Sequence, residues 1–350
     1  MKNMLVRIVR TVIPGIILLT FLAGCGTSSS GNNGQTTVNL GYYPNLTHAV
    51  ALVGVANGTF QKELGSKVKL QTQTFNAGPS EIQALLAGSI DIAFVGPAPA
   101  VSGYTQSHGS ALQVIAGASS GGVLFVVRAN AGIHSATDLA NKKIADPQKG
   151  GTQDVALRTY LQAHGLKSTD QGGNVQVIST DNANILNLLK TGQIDGAWVP
   201  EPWATRLLVE GQGKVFLNEN SLWPSGQFAT TVIVVRKAFY AAHPDIVNKF
   251  LQADVETVQY INANPSSAQQ LANAQIKKIT GASIKSNEVA LAFQDLQITY
   301  DPFASTITTQ SNRSFTLGFV QSKPDLTSFY NLGPLNTILT SKGLAIVATK

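Results

Sequence analysis

The chain has 350 residues, 43% of them apolar and 13% charged, with a formal net charge of +6. That length exceeds what one simple core needs and favours two lobes, while the Lys and Arg residues form no cluster dense enough to follow a phosphate backbone, which excludes nucleic acid as a partner. The one cysteine, Cys25, excludes disulfides, thiolate metal sites and a cysteine nucleophile from the rest of the chain.

At the N-terminus Lys2, Arg7 and Arg10 precede an uncharged apolar stretch, Thr11 to Ala23. This is the order of a secretory signal, and the stretch is too short to span a bilayer comfortably as a helix. It ends in Leu22-Ala23-Gly24-Cys25, which resembles the bacterial lipobox. The resemblance implies cleavage before Cys25 and acylation of its sulfur, a lipid anchor holding the mature chain on the outer side of the cell membrane. Loss of residues 1–24 takes three cations away and leaves the mature form at +3. Residues 25–36 carry no apolar anchor and read as a flexible tether.

From Thr37 onward short β-branched runs alternate with helical patterns, which predicts an α/β fold with mostly parallel sheets. Val38 to Tyr43 reads as a strand, Pro44 to Gly58 as a helix, and Val68 to Phe75 as a second strand. Ser80 to Ala87 is a helix with Ile82, Leu85 and Leu86 on one face, closed by Gly88. Ile90 to Val95 is a third strand, entering Gly96-Pro97-Ala98-Pro99.

One unit of the sequence occurs twice. Ala84-Leu-Leu-Ala-Gly-Ser-Ile-Asp-Ile-Ala-Phe-Val95 returns as Leu188-Leu-Lys-Thr-Gly-Gln-Ile-Asp-Gly-Ala-Trp-Val199. Gly88 matches Gly192, Asp91 matches Asp195, and each copy runs into a proline turn, Gly96-Pro97 or Pro200-Glu201-Pro202. A helix, a helix-ending glycine and a buried strand, used twice, predict two similar lobes. Ligands of open parallel sheets bind beyond the carboxyl ends of the strands, so the two proline turns face one another across a cleft. The apolar runs Val114–Ala118, Val123–Val127 and Thr230–Val235 read as lobe crossings, giving lobe I as 37–125 and 227–350 and lobe II as 126–226.

Phe75-Asn-Ala-Gly-Pro-Ser80, Gly88-Ser-Ile-Asp91, Gly150-Gly-Thr152 and Ala197-Trp-Val-Pro-Glu-Pro-Trp203 resemble the binding proteins of importers for aliphatic sulfonates, taurine and nitrate. The resemblance spans about residues 38–342 and implies a two-lobed type II periplasmic-binding fold with a two-strand hinge. It also implies a monomer that delivers its solute to an ABC permease and its ATPase. The expected ligand-binding residues are Pro44, Asn45, Thr47 and His48; Gly78, Pro79 and Ser80; Gly96 and Pro97; Gly150, Gly151, Thr152 and Gln153; and Trp198, Glu201 and Trp203. Several of these open helices, whose N-termini offer unpaired N–H groups and partial positive charge to an oxyanion. Ser80 is the expected cap of its helix. Trp198 continues a strand and belongs either to the core or to the ligand, whereas Trp203 lies beyond the strand. Glu201 facing inward would suit a ligand with an ammonium group such as taurine; facing outward it would sit on the surface or pair with Arg206.

His48, His108, His134, His164 and His243 are scattered, and no nucleophile elbow or Walker loop occurs. The expected activity is therefore binding and hinge closure without catalysis, cofactor or metal. Readings left open are a nitrate- or bicarbonate-type anion binder, a binder of a thiamine pyrimidine precursor, and a sensory receptor module. The cysteine-rich motif of the thiamine-pyrimidine enzymes of this superfamily is absent.

Overall fold

The computed structural model describes residues 35–348; the signal segment, Cys25 and nearly all of the tether lie outside the described residues. The chain enters as β1 (Thr36–Tyr42) and continues through a 3-10 turn at Leu46–His48, α1 (Ala49–Ala56), β2 (Val68–Thr74), α2 (Gly78–Leu86), β3 (Ile92–Val95), α3 (Pro97–Gln106) and β4 (Leu112–Gly121). It then builds a second sheet from β5 (Val123–Arg128), β6 (Lys143–Asp146), α4 (Thr152–Ala163), β7 (Gln176–Ser179), α5 (Asn182–Lys190), β8 (Gly196–Pro200), α6 (Trp203–Val209) and β9 (Gly213–Asn218). The return to the first sheet is made by β10 (Ala229–Arg236), followed by α7 (Pro244–Ala263), β11 (Leu296–Ile298) and α8 (Ala304–Thr316).

The strand orders are β11-β4-β10-β3-β1-β2 and β7-β6-β8-β5-β9. Both sheets are mixed rather than mostly parallel. β1, β2 and β3 pair in parallel, as do β6, β7 and β8, but β10 and β5 enter antiparallel. The reason is connectivity: β10 arrives from the other lobe and β5 leaves for it, so neither follows a helical crossover that would keep it parallel.

Each sheet is apolar on both faces, as a layer buried between helices must be. Along β10, Ile233 and Val235 pack with Phe94 and Phe250 on one face, while Val232 and Val234 pack with Ile82 and Ile307 on the other. Fully burying one such side chain stabilises by about 1.5–3 kcal/mol. In the second sheet Trp198 joins Phe125 and Leu157 on one face, and its neighbours Ala197 and Val199 join Ile185 and Leu207 on the other.

The repeat read from the sequence is a repeat of structure. Gly88 and Gly192 both end their helices in the left-handed region, at φ 76° and 72°. Asp91 accepts hydrogen bonds from Asn39 N–H of β1 (3.0 Å) and from Arg236 at the end of β10 (2.6 Å). Asp195 does the same with Lys143 N–H of β6 (2.9 Å) and Arg128 at the end of β5 (2.9 Å). Each aspartate thus ties the starts of two parallel strands to the end of the antiparallel one, a structural clamp at the edge remote from the proline turns.

The chain passes between the sheets at Gly121-Gly122 and again over residues 219–228. Gly121 and Gly122 have φ of 71° and 69°, and a Cβ at either would lie within 2.6 Å of Asp295 O or 2.3 Å of the Leu296 side chain. Glycine at this crossing is therefore fixed twice, by backbone conformation and by the close approach of the segment leading into β11.

Candidate functional site

Four helices begin at the same place. α2 and α3 of the first lobe and α4 and α5 of the second start beside one cavity between the lobes, lined by Gly78, Gly96, Thr152 and Asn182 among others. Their N-cap residues are Ala77, Gly96, Gly151 and Asp181, and none of the four makes a side-chain cap. Alanine and glycine have no side-chain oxygen with which to do so, and the exposed Asp181 does not turn its carboxylate onto its helix. The first-turn N–H groups that a serine or aspartate would satisfy stay available, and the helix dipoles add partial positive charge.

The side chains that line the cavity itself are polar and uncharged. Tyr43, Asn45, Thr47, His48, Gln148, Gln153, Thr230 and Thr231 line the cavity, with no Lys or Arg and no carboxylate among the lining residues. Buried Tyr43 Oη, Thr152 Oγ1, Asn182 Oδ1 and Thr231 Oγ1 have no hydrogen-bond partner in the protein. Buried polar atoms are otherwise almost always paired, because stripping them of water costs about 1–3 kcal/mol each. Four such atoms converging on one cavity from both lobes mark a place where a polar guest completes the network.

His48 is neutral here. Burial pulls its pKa down to about 3, and its Nδ1 accepts from Tyr43 N–H at 3.4 Å. The ring proton therefore sits on Nε2, which makes His48 a neutral donor. The cavity is small, about 30 Å³. That is room for a few heavy atoms.

The lobes touch over this cavity. Trp203 Nε1 donates to Asn45 Oδ1 at 2.9 Å, and Leu46 N–H donates to Glu201 O at 3.0 Å, both across the cleft. Asn45→Ala is expected to loosen the closed form by about 1 kcal/mol, the net worth of one such bond. Titration calorimetry should show this as a several-fold rise in Kd with an unchanged melting point for the free protein.

The expected site residues take different places around the cavity. Asn45, Thr47, His48, Gly78, Gly96, Gly151, Thr152 and Gln153 line the cavity. Pro44, Pro79, Pro97 and Gly150 shape the turns behind it, with Gly150 at φ 76° donating its N–H to Asp154 at 2.7 Å. Ser80 lines an adjoining open groove with Gln148 and Thr180; it is not a helix cap, because α2 starts two residues earlier and Ser80 Oγ donates back to Ala77 O at 2.9 Å.

Trp198 and Glu201 lie away from the cavity. Trp198 is fully buried in the second lobe, 5.1 Å from the Phe125 ring, with its indole N–H given to Glu219 at 2.7 Å. Glu201 is also fully buried, and its carboxylate accepts from Thr205 N–H and Thr205 Oγ1, each at 3.0 Å. It caps α6 and neither faces the cleft nor pairs with Arg206, which bonds Glu210 instead. Trp203 stands at the rim as the interlobe donor already described.

Several lining residues were not anticipated, and the repeat could have found them. The register that pairs Gly88 with Gly192 also pairs Gly78 with Asn182, Gly96 with Pro200, Tyr43 with Pro147 and His48 with Thr152. All eight line the cavity. The cleft is built from equivalent positions of two equivalent lobes.

Residues 31–276 match the model of the family described as NMT1-like. The chain belongs to the NMT1-like family. A binding protein of Brucella abortus is 26% identical over 296 residues, 82% of this chain and 87% of that one. The taurine-binding periplasmic protein of Escherichia coli is 30% identical over 215 residues, 61% of this chain and 64% of that one. Among solved structures, the periplasmic aliphatic sulphonate-binding protein SsuA of Escherichia coli superposes with a TM-score of 0.67 at 18% identity, over 84% of this chain and 97% of that one. The desulfurization enzyme DszB superposes with a TM-score of 0.66 at 14% identity, over 88% of this chain and 100% of that one. The NMT1-like chain thus has the two-lobed type II periplasmic-binding fold, a scaffold that also carries an enzyme.

Proposed function

We propose that this chain is the extracytoplasmic solute-binding component of an ABC-type importer, and that it takes a small organic sulfonate or a similar monoanion into the interlobe cleft. The observation that carries the reading is the set of four uncapped helix N-termini around unpartnered, uncharged side chains. Such a site supplies many N–H and O–H donors but no full positive charge. A singly charged oxyanion exchanges its water shell for those donors. A dianion would need a compensating cation that the lining does not contain, and burying the second charge is costly.

Relatives support the same direction: a taurine-binding periplasmic protein shares 30% identity, and a sulphonate-binding protein shares the fold. The mechanism is capture by one lobe, rotation about the crossings at Gly121-Gly122 and residues 219–228, and sealing by the Trp203–Asn45 and Leu46–Glu201 contacts. The closed form is what a permease with its ATPase would read. Among the described residues no helix is long and apolar enough to cross a membrane, and the sequence Leu22-Ala23-Gly24-Cys25 supports attachment through acylated Cys25.

A thermal-shift panel of taurine, ethanesulfonate, nitrate, bicarbonate, sulfate and a pyrimidine tests the assignment. A ligand at a hundred times its Kd adds about 2.7 kcal/mol to the folded state, which moves the midpoint by a few degrees. Ethanesulfonate is expected to shift it and sulfate is not, while taurine, a zwitterion whose ammonium meets no carboxylate in the lining, is expected to shift it less. A shift with sulfate alone, or only with the pyrimidine, would overturn the monoanion reading.

A further inference from the structure

Glu81 is a fully buried acid that does not itself line the cavity. It sits in the first turn of α2 with 0% exposure, and neither carboxyl oxygen has a well-formed hydrogen bond within the protein. Its surroundings are shaped around the carboxyl. A Cβ at Gly41 of β1 would lie 2.6 Å from Glu81 Oε1, so the glycine there is what admits the group. Tyr43 is its polar neighbour; Tyr43 lines the cavity, and its hydroxyl has no well-formed hydrogen bond in the protein either.

Burial pushes the Glu81 carboxyl well above the usual carboxylate range, with the Tyr43 hydroxyl pulling it back by less. Burial also pushes Tyr43 well up, and the adjacent Glu81 adds to this. The other ionisable group against the pair is His48, whose ring lies 4.1 Å from that of Tyr43 and is neutral. Among the described residues no charged side chain bears on Glu81. Both shifts favour the protonated forms, a carboxylic acid beside a phenol.

We propose that Glu81 is a positioning residue for the ligand: its carboxyl O–H donates to Tyr43 Oη and so commits the phenol hydrogen to the cleft, where it meets a ligand oxygen. A carboxylic acid has one donor and a phenol has one donor plus lone pairs. With the Tyr43 oxygen already accepting from Glu81, the phenol hydrogen goes to the cavity, and each bond polarises the next. An ionised Glu81 reverses the chain. It becomes an acceptor, takes the Tyr43 hydrogen, and leaves phenol lone pairs facing an anion. The consequence is an affinity that falls as pH rises through the elevated Glu81 pKa, although neither Glu81 nor any other carboxylate touches the ligand.

This rests on the monoanion-binding reading, and the test separates the two. Wild type, E81Q, E81A and Y43F are titrated calorimetrically with ethanesulfonate, which has no titrating group of its own, across neutral to alkaline pH. E81Q keeps an N–H donor for Tyr43 and is expected to bind as wild type does, without the pH dependence. E81A and Y43F are each expected to weaken binding roughly tenfold, the scale of one well-placed hydrogen bond, and the double variant should be no worse than Y43F alone. Loss in Y43F with full affinity in E81A would overturn the relay. Infrared difference spectra of wild type against E81Q, taken without ligand, decide the same point independently. A protonated-carboxyl band at pH 7 that E81Q removes supports the relay, and an ionised Glu81 overturns it. Failure of wild type to bind ethanesulfonate would instead sink the monoanion reading, while the infrared result still stands or falls alone.

Discussion

Gly96→Val is expected to abolish tight ligand binding while leaving the melting point of the free protein unchanged or slightly raised. Gly96 ends β3 in the first lobe and caps α3 with φ −67° and ψ 148°, a conformation open to any residue. Nothing in its own backbone asks for glycine. The requirement comes from the other lobe, because a Cβ at position 96 would lie 2.3 Å from Thr152 Oγ1 and 3.3 Å from Thr152 Cβ. Thr152 heads α4 of the second lobe, so the clash exists only when the lobes are closed. A side chain here acts as a wedge: it leaves each lobe intact and penalises their approach. Overpacking of this kind costs about 1–3 kcal/mol, which corresponds to about 5- to 150-fold in Kd for a process that needs closure. Gly96→Ala should fall at the weak end and Gly96→Val at the strong end. In the open form, replacing a glycine of ordinary φ restrains the unfolded chain and can add about 0.4–1 kcal/mol. Calorimetric titration with ethanesulfonate, together with small-angle scattering, reads both effects. The variant should stay in the more extended form with ligand present, whereas wild type should contract. A Gly96→Val protein that binds and contracts like wild type would refute the position of the closed interface.

The fold was legible where local rules act alone. Gly88 and Gly192 stop helices by their left-handed conformation, Asp91 and Asp195 follow at the same spacing, and that pairing announced two lobes before any contact was known. The mixed strand directions were not legible, since an apolar run such as Val123–Val127 reads the same whichever way its neighbour points. Trp198 and Glu201 show the same limit at the site. Every residue of β8 is buried, so no polar-apolar alternation tells which face Trp198 occupies, and it joined the Phe125 core. Glu201 was visible as an acid in a proline turn, but its orientation is set by Thr205, four residues on, whose N–H and hydroxyl capture it. Glu81 was hidden for the opposite reason. A glutamate in the first turn of a helix is ordinarily exposed, and only the glycine at position 41 on a strand distant in sequence makes room to bury it. Helix openings could be read from glycine and proline; side-chain direction could not.

Between pH 5 and pH 8 the protein is expected to lose stability, the reverse of a protein held by surface carboxylate pairs. Five acids are buried where the charged form is costly. Burial raises Glu201 and Glu219 to about 7 from an ordinary 4.5, with hydrogen bonds from Thr205 and from Trp198 and Trp223 offsetting part of the rise. Burial likewise pushes Glu81, Asp146 and Asp254 well up. A group whose folded pKa exceeds its unfolded value stabilises fully below the unfolded pKa, and that contribution is lost as pH rises through the folded pKa. For Glu201 and Glu219 the window is therefore 4.5 to about 7, and at 1.36 kcal/mol per unit each forfeits about 2–3 kcal/mol across it. His48 acts in the other direction. Its folded pKa of about 3 lies below the ordinary 6.5, so acidification from pH 8 to pH 5 costs about 2 kcal/mol as the unfolded chain takes up its proton. Asp170, held well below its ordinary value first by Arg158, contributes stability that is lost only in stronger acid. The acids outweigh the histidine, and the expected net loss from pH 5 to pH 8 is a few kcal/mol. Urea midpoints at constant temperature measure it. Glu219→Gln should flatten part of the slope, because a glutamine oxygen still accepts from the Trp198 indole (2.7 Å in the parent) and carries no titrating proton. Stability that rises steadily from pH 5 to pH 8 would mean that these buried carboxyls stay charged in the folded protein, satisfied by their indole and hydroxyl donors.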